Sequence, residues 1–274
     1  MPELPEVETV RQTLRQLVLG KQIEQVTVLW ENIVKLPVEK EAFTDMLLGQ
    51  TIREIDRKGK FLIIHFDEIS MVSHLRMEGK YGVYPAGEPV KKHTHIIFRF
   101  NDGTELRYND VRKFGTMHLF PKGQERVEKP LIKLGPDPFD EAFTNVYLYE
   151  RLQRTSRSVK TALLDQHIVA GLGNIYVDET LFRAGIHPER QANNLTLDEA
   201  ASIRQAAIET LDEAVAQGGT TIRSYLNSQG QMGMFQQRLF VYGKENEPCR
   251  NCGSVIEKTR VGNRGTHFCR SCQS

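Results

Sequence analysis

All four cysteines lie in the last 26 residues, as Cys249-x2-Cys252-x16-Cys269-x2-Cys272. Two close pairs with that gap can set four thiolates tetrahedrally around one Zn²⁺. Two disulfides would use the same residues, but they need an oxidising compartment. The start of the chain, MPELPEVETV, carries carboxylates where an export signal carries positive charge and then an apolar run. The expectation is therefore one structural zinc, with no ligand position left open for catalysis. The residues between the pairs should form a hairpin tipped by Gly262-Asn263-Arg264-Gly265. Such a segment is too short for its own core and would rely on the metal, worth ~10–16 kcal/mol in comparable units. Its basic tip either meets a polyanion or is a solvated turn.

Pro2 and Glu3 offer a different chemistry. A small second residue predicts removal of Met1, which would leave Pro2 with a free secondary amine. An α-amino group titrates near pH ~8, so part of it is neutral at pH 7. A neutral amine can attack an electrophilic sugar carbon and form an iminium, by the logic of a Schiff-base lysine. Glu3 beside it could move the protons. On pattern alone, a helix start with acidic residues is the plainer reading. Lys60 precedes an apolar run; it is either an edge-strand charge or, in a cleft, a proton donor. Gly171-Leu172-Gly173-Asn174 sits between helical stretches. It is either an ordinary turn or a phosphate site at a helix N-terminus. Taken singly, Met77 and Phe114 read as core and Arg112 as a surface charge.

These residues need elements to hold them. With 274 residues, 39% of them hydrophobic and 26% charged, and a mean hydropathy of −0.42, the chain has apolar material for a sizeable core. That composition excludes wholesale disorder, collagen-like repeats and small disulfide scaffolds. No run of about 18 apolar residues occurs, so no membrane span is expected. Net charge is +1, but residues 238–274 carry seven Lys/Arg against three Glu, and that basic end points to a polyanion.

Val7, Val10, Leu14 and Leu17 recur at helical spacing after Pro5, and Gly20 should stop that helix. Short β-branched or aromatic runs predict strands at 23–30, 51–55, 60–66, 71–75, 81–84, 95–100, 105–108 and 116–120. A helix near 40–48 interrupts them, and Asn101-Asp102-Gly103 is a hairpin signal. Many short strands imply a sandwich or barrel. Gly135-Pro136-Asp137-Pro138 reads as a linker. Helices are expected beyond it at 142–153, 159–167, 174–184 and 197–217, the last with a capping box of Thr196 and Glu199. The polar stretch 219–237 shows no periodicity; a loop of that length is functional or disordered.

Taken together, the start Pro2-Glu3-Leu4-Pro5-Glu6-Val7-Glu8, the turn Gly171–Asn174 and the four-cysteine finger resemble the bacterial formamidopyrimidine-DNA glycosylases. The segments His74-Leu75-Arg76-Met77-Glu78-Gly79 and Asp110-Val111-Arg112-Lys113-Phe114-Gly115 extend the resemblance along the chain. It implies an α+β protein: an N-terminal β-sandwich with flanking helices over 1–134, a helix–two-turn–helix domain over 135–237, and a zinc-finger hairpin over 238–274. It implies excision of oxidised purines, 8-oxoguanine and formamidopyrimidines, from damaged double-stranded DNA by base flipping, followed by strand cleavage through β,δ-elimination.

By the same resemblance Pro2 is the nucleophile and Glu3 the acid/base. Lys60 and Arg264 assist the two eliminations. Met77, Arg112 and Phe114 fill the hole left by the flipped base. Asn174 and Arg264 hold phosphates, with His74, His93 and Lys258 as weaker candidates for backbone contact. Thr220, Thr221, Ile222, Arg223 and Ser224 belong to a loop that closes over the base. Cys249, Cys252, Cys269 and Cys272 bind structural zinc. A cytoplasmic monomer without membrane contact is expected. Lys113 stands where relatives carry arginine, no fixed role transfers to Glu78, and Arg154–Arg157 is less basic than in some relatives. Two alternatives stay open: an endonuclease VIII-like enzyme for oxidised pyrimidines, against which the Met77/Arg112/Phe114 set argues, and a non-enzymatic zinc-finger DNA binder.

Overall fold

A computed structural model describes residues 1–220 and 234–274. The expected loop residues Thr221, Ile222, Arg223 and Ser224 lie outside the described residues; Thr220 lies inside. The described residues divide into two units, residues 1–132 with 218–220, and residues 133–217 with 234–274.

In the first unit the helical repeat near the N-terminus folds as α1 (Leu4–Val18), with Pro5 in its first turn and Leu4, Val7, Val10, Leu14 and Val18 buried. Nine strands follow: β1 (Ile23–Val28), β2 (Val34–Leu36), β3 (Glu54–Lys58), β4 (Phe61–His65), β5 (Ile69–His74), β6 (Lys80–Pro85), β7 (Thr94–Phe100), β8 (Thr104–Asn109) and β9 (Thr116–Pro121), with α2 (Lys40–Leu47) between β2 and β3. They make a four-stranded sheet in the order β1-β7-β8-β6 and a five-stranded sheet in the order β2-β9-β5-β4-β3. Ile96, Phe98 and Leu106 of the first sheet and Leu62, Ile64, Met71 and Leu119 of the second share one core with α1 and α2, which makes the unit a sandwich with flanking helices.

Three sequence expectations shift. The strand expected at 51–55 forms instead at Glu54–Lys58, because it pairs residue for residue with β4, whereas Thr51 makes only an isolated bridge to Gln22. Lys60 does not lie in β4 but in the tight turn ahead of it, where Gly59 adopts a left-handed φ of 57°. The three-residue β2 has no counterpart among the expected strands; it exists through parallel pairing with β9, a long-range contact that leaves no local pattern.

The second unit carries α3 (Asn145–Gln153), α4 (Val159–Leu163), α5 (Asn174–Ala184) and α6 (Leu197–Ala216), then the hairpin β10 (Glu257–Val261) and β11 (Arg264–Phe268). Thr144 caps α3 by accepting the Tyr147 N–H, and Thr196 with Glu199 forms the expected capping box of α6. Ile203, Ala207, Leu211 and Ala214 face inward from α6, as its periodicity requires. The helix expected at 159–167 stops at Leu163, because Asp165 and its neighbours turn back toward Gly135 and Pro136 through backbone bonds to Gln166 and Ala170. No helix among the described residues is long and apolar enough to cross a membrane.

Candidate active site and nucleic-acid interface

Glu3 is the N-cap of α1 and is only 3% exposed, while Pro2 beside it is half-buried and Met1 is exposed. The Glu6 carboxylate organises this end. One oxygen accepts the Glu3 N–H at 2.8 Å, and the other accepts the Thr220 N–H at 2.9 Å and the Thr220 hydroxyl at 3.2 Å. Gly219 is needed there: its φ is +80°, and an added Cβ would stand 2.5 Å from the Glu6 carboxylate. The first described residues of the polar 219–237 stretch are thus tied to the N-cap of α1. Glu6 is legible only as a helix-capping acid; its second partner lies 214 residues away.

Lys60 is 6% exposed. A lysine so enclosed is uncommon unless it is paired or used. It stands close enough to His74 to bear on its protonation. Burial, then the Arg76 and Lys60 charges, hold His74 down to about 3, so its imidazole is neutral. His74 accepts the Arg76 N–H on Nδ1 at 2.8 Å and meets the Phe61 ring edge-on at 4.4 Å. Nδ1 is therefore the acceptor and Nε2 carries the proton. His74 is a buried neutral donor rather than a cation.

Met77 and Phe114 are not core. They are 37% and 53% exposed, on two separate turns. Each follows a residue held in the left-handed region, Arg76 at φ 53° and Lys113 at φ 59°. Strain of this kind persists where surrounding structure over-determines it, and it concentrates at functional sites. Asp110 supplies that constraint for the second turn. Wholly buried, its carboxylate accepts the N–H of Arg112 at 3.0 Å, of Phe114 at 2.9 Å and of Gly115 at 2.8 Å. The Arg112 guanidinium then lies 5.0 Å from the Phe114 ring centre. Gly79 and Gly115 close both turns against one residue, since a Cβ at either would come within 2.1 or 1.8 Å of the Tyr108 hydroxyl. The sequence assigns Asp110 no role of its own beyond its place in that segment, although an Asn-Asp pair before a basic turn is an Asx-turn signal. His93 is half-buried with φ 69°, and its carbonyl accepts the Asp110 N–H at 3.0 Å.

In the second unit α5 begins at Asn174, with Gly173 as an N-cap that offers no side chain. Asn174 donates its Nδ2 to the Gly265 carbonyl at 2.9 Å, and Lys160 donates to the same oxygen at 2.9 Å. Lys160 and Asp178 form a fully buried ion pair at 2.6 Å, and Asp178 also accepts the His267 N–H at 2.9 Å. The helical turn and the hairpin tip are thereby locked together. Arg264, next to Gly265, starts β11 and is exposed; the turn before it is Gly262-Asn263, both with positive φ as a type I′ hairpin requires. Lys258 on β10 pairs with Glu245 at 2.7 Å. Nothing in the sequence marks Lys160, since an isolated lysine ordinarily reads as solvated.

The four cysteine sulfurs lie within 4.8 Å of one another. Cys249–Cys272 at 3.9 Å and Cys252–Cys269 at 3.5 Å are far beyond disulfide length. Both match the edge of a Zn–S tetrahedron, about 3.8 Å for bonds of ~2.3 Å. The Ser254 hydroxyl and N–H hold Cys252 down to about 6, while burial and the neighbouring sulfurs push Cys272 well up. Four sulfur donors at tetrahedral spacing, able to lose their protons to a metal, fit one structural zinc.

Three family models match in order along the chain: the formamidopyrimidine-DNA glycosylase N-terminal domain at residues 1–117, the formamidopyrimidine-DNA glycosylase H2TH domain at 134–225, and the zinc finger found in FPG and IleRS at 246–274. The formamidopyrimidine-DNA glycosylase of Bacillus licheniformis is 64% identical over 273 residues, covering 100% of this chain and 99% of that protein. The Bacillus subtilis protein of the same description is 60% identical over 274 residues, with 100% and 99% covered. Among solved structures, a Lactococcus lactis Fpg complex with abasic-site DNA superposes with a TM-score of 0.91 at 41% identity, covering 99% of each chain. A complex of the wild-type protein of that organism with N7-benzyl-Fapy-dG DNA gives 0.92 at 42%, covering 100% of each.

Proposed function

From the premise that this chain belongs to the formamidopyrimidine-DNA glycosylase family, we propose that Pro2 is its covalent nucleophile and that oxidised purines in duplex DNA are its substrates. Members of that family are DNA glycosylases and AP lyases of base-excision repair, and so is this chain. Neither the endonuclease VIII-like alternative nor the purely DNA-binding one is favoured by these relatives.

The observation that carries the assignment is the burial of two ionisable side chains, Glu3 and Lys60, in the same unit as the N-terminal proline. Once the exposed Met1 is removed, the neutral Pro2 nitrogen attacks C1′ of the damaged nucleotide. The C1′–base bond breaks and the base departs with its bonding electrons; the Pro2 nitrogen sheds its proton as the C–N bond forms, which balances the proton that the base takes up. The sugar ring opens as Glu3 delivers a proton to O4′, which leaves an iminium between Pro2 and C1′. The iminium acidifies the C2′ proton. Its removal, assisted by Lys60, expels the 3′ phosphate, and a second elimination assisted by Arg264 expels the 5′ phosphate. Water then hydrolyses the iminium and frees the amine. Zinc supplies no chemistry to these steps: bound by Cys249, Cys252, Cys269 and Cys272, it would hold the hairpin that carries Arg264.

Unstacking one base step costs a few kcal/mol, and the wedges Met77 and Phe114 with Arg112 facing the orphaned base recover part of it. Arg112 reads that base by a bidentate contact. Thr220 opens the segment that closes over the lesion; Thr221, Ile222, Arg223 and Ser224 continue it. Asn174, His74, His93 and Lys258 meet the phosphate backbone. The functional parts are 1–134 for chemistry, 135–237 for DNA binding and closure, and 238–274 for the finger. The enzyme works as a monomer on chromosomal DNA in the cytoplasm.

Borohydride trapping tests the nucleophile. Reduction in the presence of 8-oxoguanine duplex should yield a covalent adduct, absent in Pro2→Gly. An undiminished adduct in that variant, or a mature chain that cleaves while retaining Met1, refutes the assignment.

A further inference from the structure

Beside the two wedge turns the first unit carries an open groove of about 510 Å³. Its walls include Trp30, Lys35, Arg76, Met77, Lys113 and Phe114, and none of the lining residues is acidic. Three cations thus face one groove without an internal counter-charge. Trp30 and Lys35 lie on the segment from the end of β1 into β2, Arg76 follows β5, and Lys113 precedes β9, so three separate stretches of chain converge there. The Lys113 ammonium rests 3.9 Å from the centre of the Trp30 ring, a cation–π contact that holds a flexible side chain extended across the groove. Its backbone is simultaneously fixed at φ 59° by the turn that Asp110 organises.

We propose that this groove holds the undamaged strand of the duplex through its phosphates, with Lys35, Arg76 and Lys113 as the contacts and Trp30 as the rest that pre-positions Lys113. The inference rests on the DNA-repair reading above. A small-molecule site would be more enclosed and would carry acceptors as well as donors. A polyanion asks only for spaced cations. The choice of strand follows from sequence adjacency. Arg112, which faces the orphaned base, is the residue before Lys113, and its guanidinium lies 5.0 Å from the ring centre of Phe114 on the groove wall. Cations that continue from the orphaned base follow the strand to which that base belongs. Lysine rather than arginine at position 113 suits such a contact, because a point charge on a flexible stem binds phosphate without bidentate geometry. The damaged strand would be gripped elsewhere, so opposite-strand binding is a separable part of the affinity.

The test is a binding cycle on duplexes carrying a tetrahydrofuran abasic analogue. Methylphosphonates replace the two phosphates next to the orphaned base, in the undamaged strand or at the matching places in the damaged strand. The protein is wild type or Lys35→Gln/Lys113→Asn; asparagine tolerates the left-handed backbone at 113. Neutralising the undamaged strand should weaken wild-type binding and have little further effect on the variant. Each lost phosphate contact lowers the salt slope by ~0.9, so the variant's deficit should be about 12-fold larger at 50 mM than at 200 mM salt. An undamaged-strand penalty equal in both proteins overturns the proposal, and so does a variant effect that appears only with the damaged strand neutralised. Failure of wild type to form a borohydride adduct would instead sink the nucleophile assignment, which the binding cycle does not use.

Discussion

Substituting Asp110 by asparagine is nearly isosteric and should disable base reading without removing any group that touches DNA. Three backbone donors, from Arg112, Phe114 and Gly115, converge on its two carboxylate oxygens at 2.8–3.0 Å in a wholly buried site. Asparagine keeps one acceptor oxygen. Turned toward Phe114 and Gly115, it satisfies those two N–H groups and sets its own NH₂ against that of Arg112. One charge-assisted bond is lost, about 1.5–3 kcal/mol, and the two that remain become neutral and weaker by about 1 kcal/mol each. The turn therefore loses about 4 kcal/mol of its preference for the left-handed Lys113 conformation that aims Arg112 and Phe114. At about 1.4 kcal/mol per decade, kcat/KM for 8-oxoguanine opposite cytosine can fall by up to ~10³-fold. The preference for cytosine over adenine opposite the lesion should shrink as well, since a bidentate base contact carries about 1–3 kcal/mol of discrimination. Single-turnover excision from both duplexes measures this, with far-UV circular dichroism to verify folding. If Asp110→Asn excises both substrates within about twofold of the parent, a change of ~0.4 kcal/mol, the carboxylate does not hold the wedge turn and the reasoning fails.

Other consequences can be checked independently. Lys160→Met leaves Asp178 charged and buried without its cation, and should destabilise the second unit by about 3–5 kcal/mol and hasten zinc release to a chromogenic chelator; an unchanged release rate would contradict the docking role of the pair. Removing zinc should abolish duplex binding while the first unit stays folded. The single tryptophan, Trp30, lies in that unit and reports on it alone, so strand cleavage surviving verified metal loss would refute this. His74 is neutral in the fold down to about pH 3, whereas an unfolded imidazole takes a proton near 6.5. The unfolded state therefore binds the extra proton between those values, and stability that is complete above pH 6.5 declines as pH falls. The decline is about 1.4 kcal/mol per unit, or roughly 2 kcal/mol at pH 5. Urea unfolding followed by Trp30 emission should show that dependence reduced in His74→Gln; an identical pH slope in both proteins would rule the imidazole out as its source.

Patterns that depend on near neighbours were open to reading before any fold was known. The zinc ligands are two close pairs, the capping box of α6 spans four residues, and the hairpin turns at Asn101–Gly103 and Gly262–Asn263 are local backbone chemistry. The helical face of α1 repeats every three or four residues and packs as that repeat demands. Strand positions were legible, but their ends were not. A strand ends where its partner ends, so β3 shifted to match β4, and β2 exists only through β9. Met77 and Phe114 show the same limit in another form: their types say core, and only the strained turns beneath them turn them outward.

The order of the residues along the chain determined which chemical groups this protein owns: a proline at position 2 with an acid beside it, four thiols at metal-binding spacing, and a basic tail. Tertiary structure decided what those groups can do. It enclosed Glu3 and Lys60, neutralised His74, aimed Arg112 from a carboxylate two residues back, and joined Glu6 to Thr220 and Lys160 to Gly265 across 214 and 105 residues of chain. Burial and long-range hydrogen bonds depend on what the rest of the chain places nearby, and that information is not carried by any window of neighbouring residues.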